Sequence, residues 1–172
     1  MKKTVLLKIP SLLALAAFLV TPALAGDMLE SMIANLSGAG GKLVSLAEAI
    51  PADKYGWRPA EGVRSVSETL MHVAGANFMF GARFGKKPPE GTRGLEKSVT
   101  DKAEVVAKLK ESFAFVKEAL AGADLSKPTK LFGGREGTLG DMALMAVSHA
   151  HEHLGQLIAY ARSNNVTPPW SK

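Results

Sequence analysis

The sequence contains no cysteine. Disulfides, thiolate nucleophiles and thiolate metal ligands are therefore excluded, and any metal must be held by nitrogen and oxygen donors. No run of lysine and arginine forms a nucleic-acid footprint. The formal charge of +5 includes Lys2, Lys3 and Lys8, in a first segment without acids, and falls to +2 without residues 1–25. An electrostatic DNA binder is a poor reading of such a balance. No stretch alternates apolar and polar residues convincingly enough for a strand. Internal repeats and low-complexity tracts are absent too. Beyond the N-terminus nothing is apolar enough to span a bilayer, which takes about 20 residues, so no stable membrane insertion is expected.

What is present begins with residues 1–25. Lys2, Lys3 and Lys8 precede an apolar run of nine, Leu12 to Val20, and Pro22 then leads into Ala23-Leu24-Ala25. Charge, apolar stretch and small-residue end make the pattern of a cleaved secretory signal peptide. With no cysteine after the cleavage site, a lipid anchor is not expected. Residues 26–172 would remain as one domain of 147 residues, exported to the periplasm or secreted, and large enough to bury its own core.

Periodicity over that domain predicts four helices and an all-α fold, an antiparallel four-helix bundle. The first spans about Asp27 to Ala49, with apolar Met28, Met32, Leu36, Leu43, Leu46 and Ile50. Its middle, "SGAGGK", implies a kink, a break or close helix packing, because each glycine costs about 1 kcal/mol against alanine. The second starts at a Ser65-x-x-Glu68 capping box and runs to about Phe84. The third covers about Val99 to Ala121 and reads as scaffold. The fourth runs from about Leu139 to Ser163, behind Thr138 and Asp141, a weaker capping box. The connectors "GKKPPEGTRGLEKS" and "GADLSKPTKLFGGREG" read as loops, the first of them solvated and mobile.

Of the four histidines, three stand in "SHAHEHLGQLIAYAR", Ser148 to Arg162. His149 and His153 are four apart and share a helix face, whereas His151 points roughly 200° away, against Leu144, Val147, Leu154 and Ile158 or at a helix neighbour. The stripe Met142, Ala146, His149, His153, Leu157, Tyr160 is otherwise apolar and should face inward, with Ser148, Glu152 and Arg162 in solvent. Buried imidazoles need partners. A metal ion would supply one, and His72 on the second helix can offer a third nitrogen from across the core. Spacing alone does not separate this from a chance pair. "HAHEH" also fits the inverted zinc-peptidase pattern His-x-x-Glu-His. That chemistry needs a further ligand downstream, and none of the 19 residues after His153 is acidic. A peptidase is rejected.

Two stretches, "AIPADKYGWRPAEGVRSVSETLMHVAGANFMF" and "TLGDMALMAVSHAHEHLGQLIAYARSNNVTPPW", resemble the DinB family of metal-binding four-helix bundles. The marks are Trp57-x-Pro59, a histidine one turn into the second helix, and His-x-x-x-His followed by Gly155-Gln156. The resemblance implies a metal triad of His72, His149 and His153, with no ligand role for His151. Relatives often carry arginine where this chain has Leu154. Some transfer low-molecular-weight thiols and others have no assigned activity.

Three imidazoles would leave a coordination position open, as in catalytic zinc sites. Zinc is the first expectation and nickel the second, since imidazole suits both. The function so implied is a metal-dependent hydrolase or a thiol or other group transferase acting on an unidentified small molecule. The alternative is a non-enzymatic exported binding module whose metal is structural or sequestered. No catalytic residue is assigned. Asn77, Gln156 and Tyr160 are polar candidates for a supporting or acid–base role, with a satisfied core or rim position the favoured reading of each, and the sequence leaves room for a homodimer.

Overall fold

The computed structural model describes residues 22–171, and their side chains from residue 28 onward. Residues 1–21 of the expected signal peptide lie outside the described residues. In chain order the elements are α1 (Pro22–Ala49), a 3₁₀ turn (Ala52–Lys54), α2 (Val66–Arg83), the one-turn α3 (Leu95–Ser98), α4 (Lys102–Ala121), β1 (Pro128–Lys130), a second 3₁₀ turn (Phe132–Gly134), β2 (Glu136–Thr138) and α5 (Leu139–Ser163).

Local chemistry explains where the site-bearing helices begin. Ser65 Oγ accepts from the Glu68 N–H at 3.2 Å, and the Glu68 carboxylate accepts from the Ser65 N–H at 2.7 Å. Both halves of the capping box are therefore made on α2. Thr138 and Asp141 make the same pair on α5, at 3.2 and 2.8 Å, so the shorter aspartate serves as well as glutamate. Asp101 caps α4 by accepting from the N–H groups of Ala103 and Glu104. That places the helix start at Lys102, three residues after the expected one. Val99 remains extended and buries its side chain.

The glycines of α1 neither kink nor break it. The helix is continuous, and a Cβ on Gly40 would meet Phe113 Cδ1 of α4 at 2.7 Å. Close packing is thus the operative reason for that glycine. The end of α1 is held from outside: Lys102 Nζ donates to the Glu48 and Ile50 carbonyls, each at 2.7 Å, and Tyr55 Oη donates to the Ala47 carbonyl at 2.7 Å. Burial pushes the Tyr55 phenol well above its ordinary range, with the Asp101 and Glu48 charges adding to it.

Among the described residues the chain is mostly helical. The helices α1 and α2 each pack against both α4 and α5. Leu36, Leu43, Leu46, Leu70, Leu109, Leu120, Met142 and Leu157 fill the space between them and are fully buried. Each such leucine removed from water contributes about 1.5–3 kcal/mol.

Two connectors hold more structure than expected. The second contains an antiparallel pair with Pro128 opposite Thr138 and Lys130 opposite Glu136. Its turn rests on Gly133 and Gly134 at φ of 81° and 84°, a conformation that glycine adopts without steric cost. Three-residue strands are too short for alternation to register. The first connector contains α3, which starts after Gly94 at φ 73°.

Candidate metal centre

The site is assembled where α2 passes α5. In the second turn of α2, His72 projects toward α5, and the four-residue spacing of His149 and His153 stacks both rings on the facing side. Ring centroids lie 5.1 Å apart for His72 and His149, 4.8 Å for His72 and His153, and 4.4 Å for His149 and His153. One nitrogen from each ring falls within 4.8 Å of the others. His153 is 8% exposed, and the other two are half-buried. The expected stripe on α5 is borne out in its burial, for Met142, Ala146, Leu157 and Tyr160 are all buried.

Burial favours the neutral form of two of these rings, His149 and His153. Desolvation lowers the His149 pKa to about 4, and the charges of His153, His72 and Arg64 push it the same way. His153 is lowered too, again mainly by burial, against a hydrogen bond to the Gln156 Oε1 that raises it. In both, burial favours the neutral imidazole, the form that can coordinate a metal.

Each ring has a different outer environment. His72 Nδ1 lies 2.8 Å from Glu96 Oε1, and His153 Nδ1 lies 2.8 Å from Gln156 Oε1. Gln156 Nε2 donates to Tyr160 Oη at 2.7 Å, and Tyr160 Oη donates to the Arg64 carbonyl at 3.2 Å. Arg64 Nε donates to Glu96 Oε2 at 2.7 Å. Burial alone would raise the Glu96 pKa, but hydrogen bonds and charge from Arg64 and His72 outweigh it and hold the carboxyl below its usual range. His149 Nε2 lies 3.1 Å from His72 Nε2, whereas His149 Nδ1 is buried without a partner.

The donor set fits a divalent ion. Nitrogens bound to one tetrahedral zinc at 2.0–2.1 Å lie about 3.3 Å apart, and the His72–His149 pair is already at 3.1 Å. Outer carboxylate or carbonyl acceptors on ligating histidines are the usual second half of such sites. His72 and His153 have one, and His149 does not. A cleft of about 940 Å³ reaches the site at His72, bordered by Arg58, Arg64, Met79, Glu96 and Gln156.

Not every sequence candidate is here. Asn77 is fully turned away, donating to Ser112 Oγ of α4 at 3.1 Å in a buried pair. His151 is exposed, where its helical position suggested packing against Leu144, Val147, Leu154 and Ile158 or a helix neighbour; Leu144 is itself 57% exposed, so this side of α5 meets solvent. Glu152 is exposed as expected, and Leu154 is buried in the apolar core, which leaves that position no polar role. Glu96 and Arg64 were not legible. The only local hint was the helix-forming Leu95-Glu96-Lys97 inside a glycine- and proline-rich connector.

The chain is thus a helical protein in which three imidazoles that could hold a metal ion converge beside a cleft. Residues 35–157, which include all three histidines, match the DinB superfamily, and the chain belongs to that superfamily. Comparison with curated proteins gives no match.

Proposed function

We propose that this is an exported DinB-superfamily enzyme with an antiparallel four-helix bundle, using one divalent metal to hydrolyse or transfer a group on a small molecule. The observation that carries the reading is the convergence of His72, His149 and His153 within 4.8 Å at a cleft. These three residues would hold the ion, with zinc favoured over nickel. So held, it supplies Lewis-acid chemistry and keeps a coordination position for substrate or water. The chain's own residues do the rest. The bundle interior favours the neutral forms of His149 and His153, Glu96 and Gln156 orient their neighbours, and the cleft admits a ligand from the His72 side. The aromatics of α2 do not seal that side: Phe78 packs on Phe115 at 5.3 Å and Phe80 edges His149 at 6.0 Å. Reduced thiols are mainly intracellular, so for an exported protein hydrolysis is the better fit of the two chemistries.

One observation favours a non-catalytic binding module instead. Glu96, Gln156 and Tyr160 are all engaged in hydrogen bonds around the histidines, which leaves none of them free to move a substrate proton. Metal analysis of natively purified protein tests the first requirement, with about one zinc or nickel per chain expected. A screen of esters, amides and thiol-transfer pairs, with and without that metal, then separates enzyme from binding module. Absence of bound metal together with no uptake in titration would overturn both.

A further inference from the structure

The hydrogen bonds around the histidines run in one direction, because the groups at their ends cannot play both roles. The Arg64 carbonyl only accepts, so Tyr160 Oη must donate to it. With its proton placed there, Tyr160 Oη accepts from Gln156 Nε2. The amide is thereby oriented with Oε1 toward His153, and only a protonated Nδ1 can fill that 2.8 Å contact. On the other side the Glu96 carboxylate takes an N–H from Arg64 on one oxygen and faces His72 Nδ1 with the other. An acceptor-only carboxylate requires an N–H there as well. Both chains end at Arg64, one at its guanidinium and one at its main-chain carbonyl.

In their neutral forms His72 and His153 are therefore Nδ1–H tautomers, each with a lone pair on Nε2. His149 differs. The His72 Nε2 lone pair, 3.1 Å away, calls for an Nε2–H on His149, and the orphaned His149 Nδ1 is then the unprotonated atom. To present Nε2 to an ion, His149 must move its proton to a nitrogen that meets no acceptor.

We propose that Glu96 and Gln156 are positioning residues that lock His72 and His153 as Nδ1–H tautomers, tied together through Arg64, so that two of three ligands are set before metal arrives. The inference rests on the three-histidine metal reading above. Outer partners of this kind fix the ring and raise its basicity, and their loss typically costs 10–100-fold in metal affinity.

Long-range proton–nitrogen correlation spectra of the metal-free chain test the lock without any variant. His72 and His153 should give the Nδ1–H pattern and His149 the Nε2–H pattern. Zinc titration then compares Glu96→Ala and Gln156→Ala, each expected to bind about 10–100-fold more weakly. Each should also return its histidine to the tautomer mixture of a free imidazole, a change that a merely structural role would not produce. Glu96→Gln keeps one acceptor oxygen and should recover part of the affinity; it also serves if the alanine variant folds poorly. Wild-type affinity in both alanine variants, or Nε2–H on His72 and His153 in the unsubstituted chain, would overturn the proposal. Correct tautomers in a chain that takes up no zinc would support the lock and overturn the metal reading.

Discussion

The two faces of α2 solve different problems. Toward α4 it presents Asn77 to Ser112 and Gly81 beneath the Phe115 ring, where a Cβ would overlap the aromatic carbons. The Asn77–Ser112 pair is buried there, and the Phe115 ring takes the space that a larger residue than Gly81 would need. Toward α5 and the cleft it presents His72 and Gly75, and a Cβ on Gly75 would meet nothing within 4 Å. The first face is built for stability and the second keeps room and lone pairs. A glycine on each face thus has opposite meaning, although the sequence writes them alike.

The largest effect expected from attacking the open face is on metal. His72→Ala, His149→Ala or His153→Ala each leaves two ligands, so zinc affinity should fall by orders of magnitude, measured by competition with a chromophoric chelator. Retention of tight binding in His72→Ala would remove α2 from the site.

Metal should in turn stabilise the fold. Zinc at a hundredfold excess over its dissociation constant should add about 2.7 kcal/mol, read as a rise in melting temperature that chelator reverses. An unshifted melt would count against binding by the folded state. The core is large enough for the metal-free chain to remain helical.

Acid should act on the same histidines. The folded His149 pKa of about 4 lies below its ordinary 6.5. Between those values the unfolded chain binds a proton that the folded chain refuses, so metal-free stability should fall as pH drops from 6.5 toward 4. Partial exposure discounts the effect to roughly 1–2 kcal/mol. Urea midpoints at pH 7 and 4.5 should therefore converge in His149→Gln; an unchanged gap would place the acid sensitivity elsewhere.

The glycines offer the sharpest test of the comparison itself. Gly81→Ala should destabilise by about 1–3 kcal/mol through overpacking against Phe115. Gly75→Ala should stabilise by up to about 1 kcal/mol, since alanine favours the helix and meets no atom. Thermal melts showing the same sign for both would erase the distinction between the faces. Smallest of all is His151→Ala: exposed and outside the triad, it should stay within about 0.5 kcal/mol of the parent and keep full metal stoichiometry.

What could be read from the sequence follows from how far each signal reaches along the chain. Caps such as Ser65–Glu68 span three residues, and helix faces such as His149–His153 span four, so both were legible. His72 was legible as a partner because a lone histidine on an apolar helix needs one. Glu96 was not, because its role depends on a connector folding back 24 residues to meet His72. The hairpin escaped for lack of length, and His151 was misjudged because periodicity orders the faces of a helix without saying how wide the buried arc is.

Lys102 carries a consequence for cooperativity. The last carbonyls of α1 receive no basic side chain from their own helix, and the ammonium that satisfies Glu48 and, just past the helix end, Ile50 stands more than fifty residues later, on the first turn of α4. Fraying of one helix end therefore strips the other of its contact. The two ends should open as a single unit, with amide exchange around Ile50 and around Ala103 reporting one shared opening free energy instead of two.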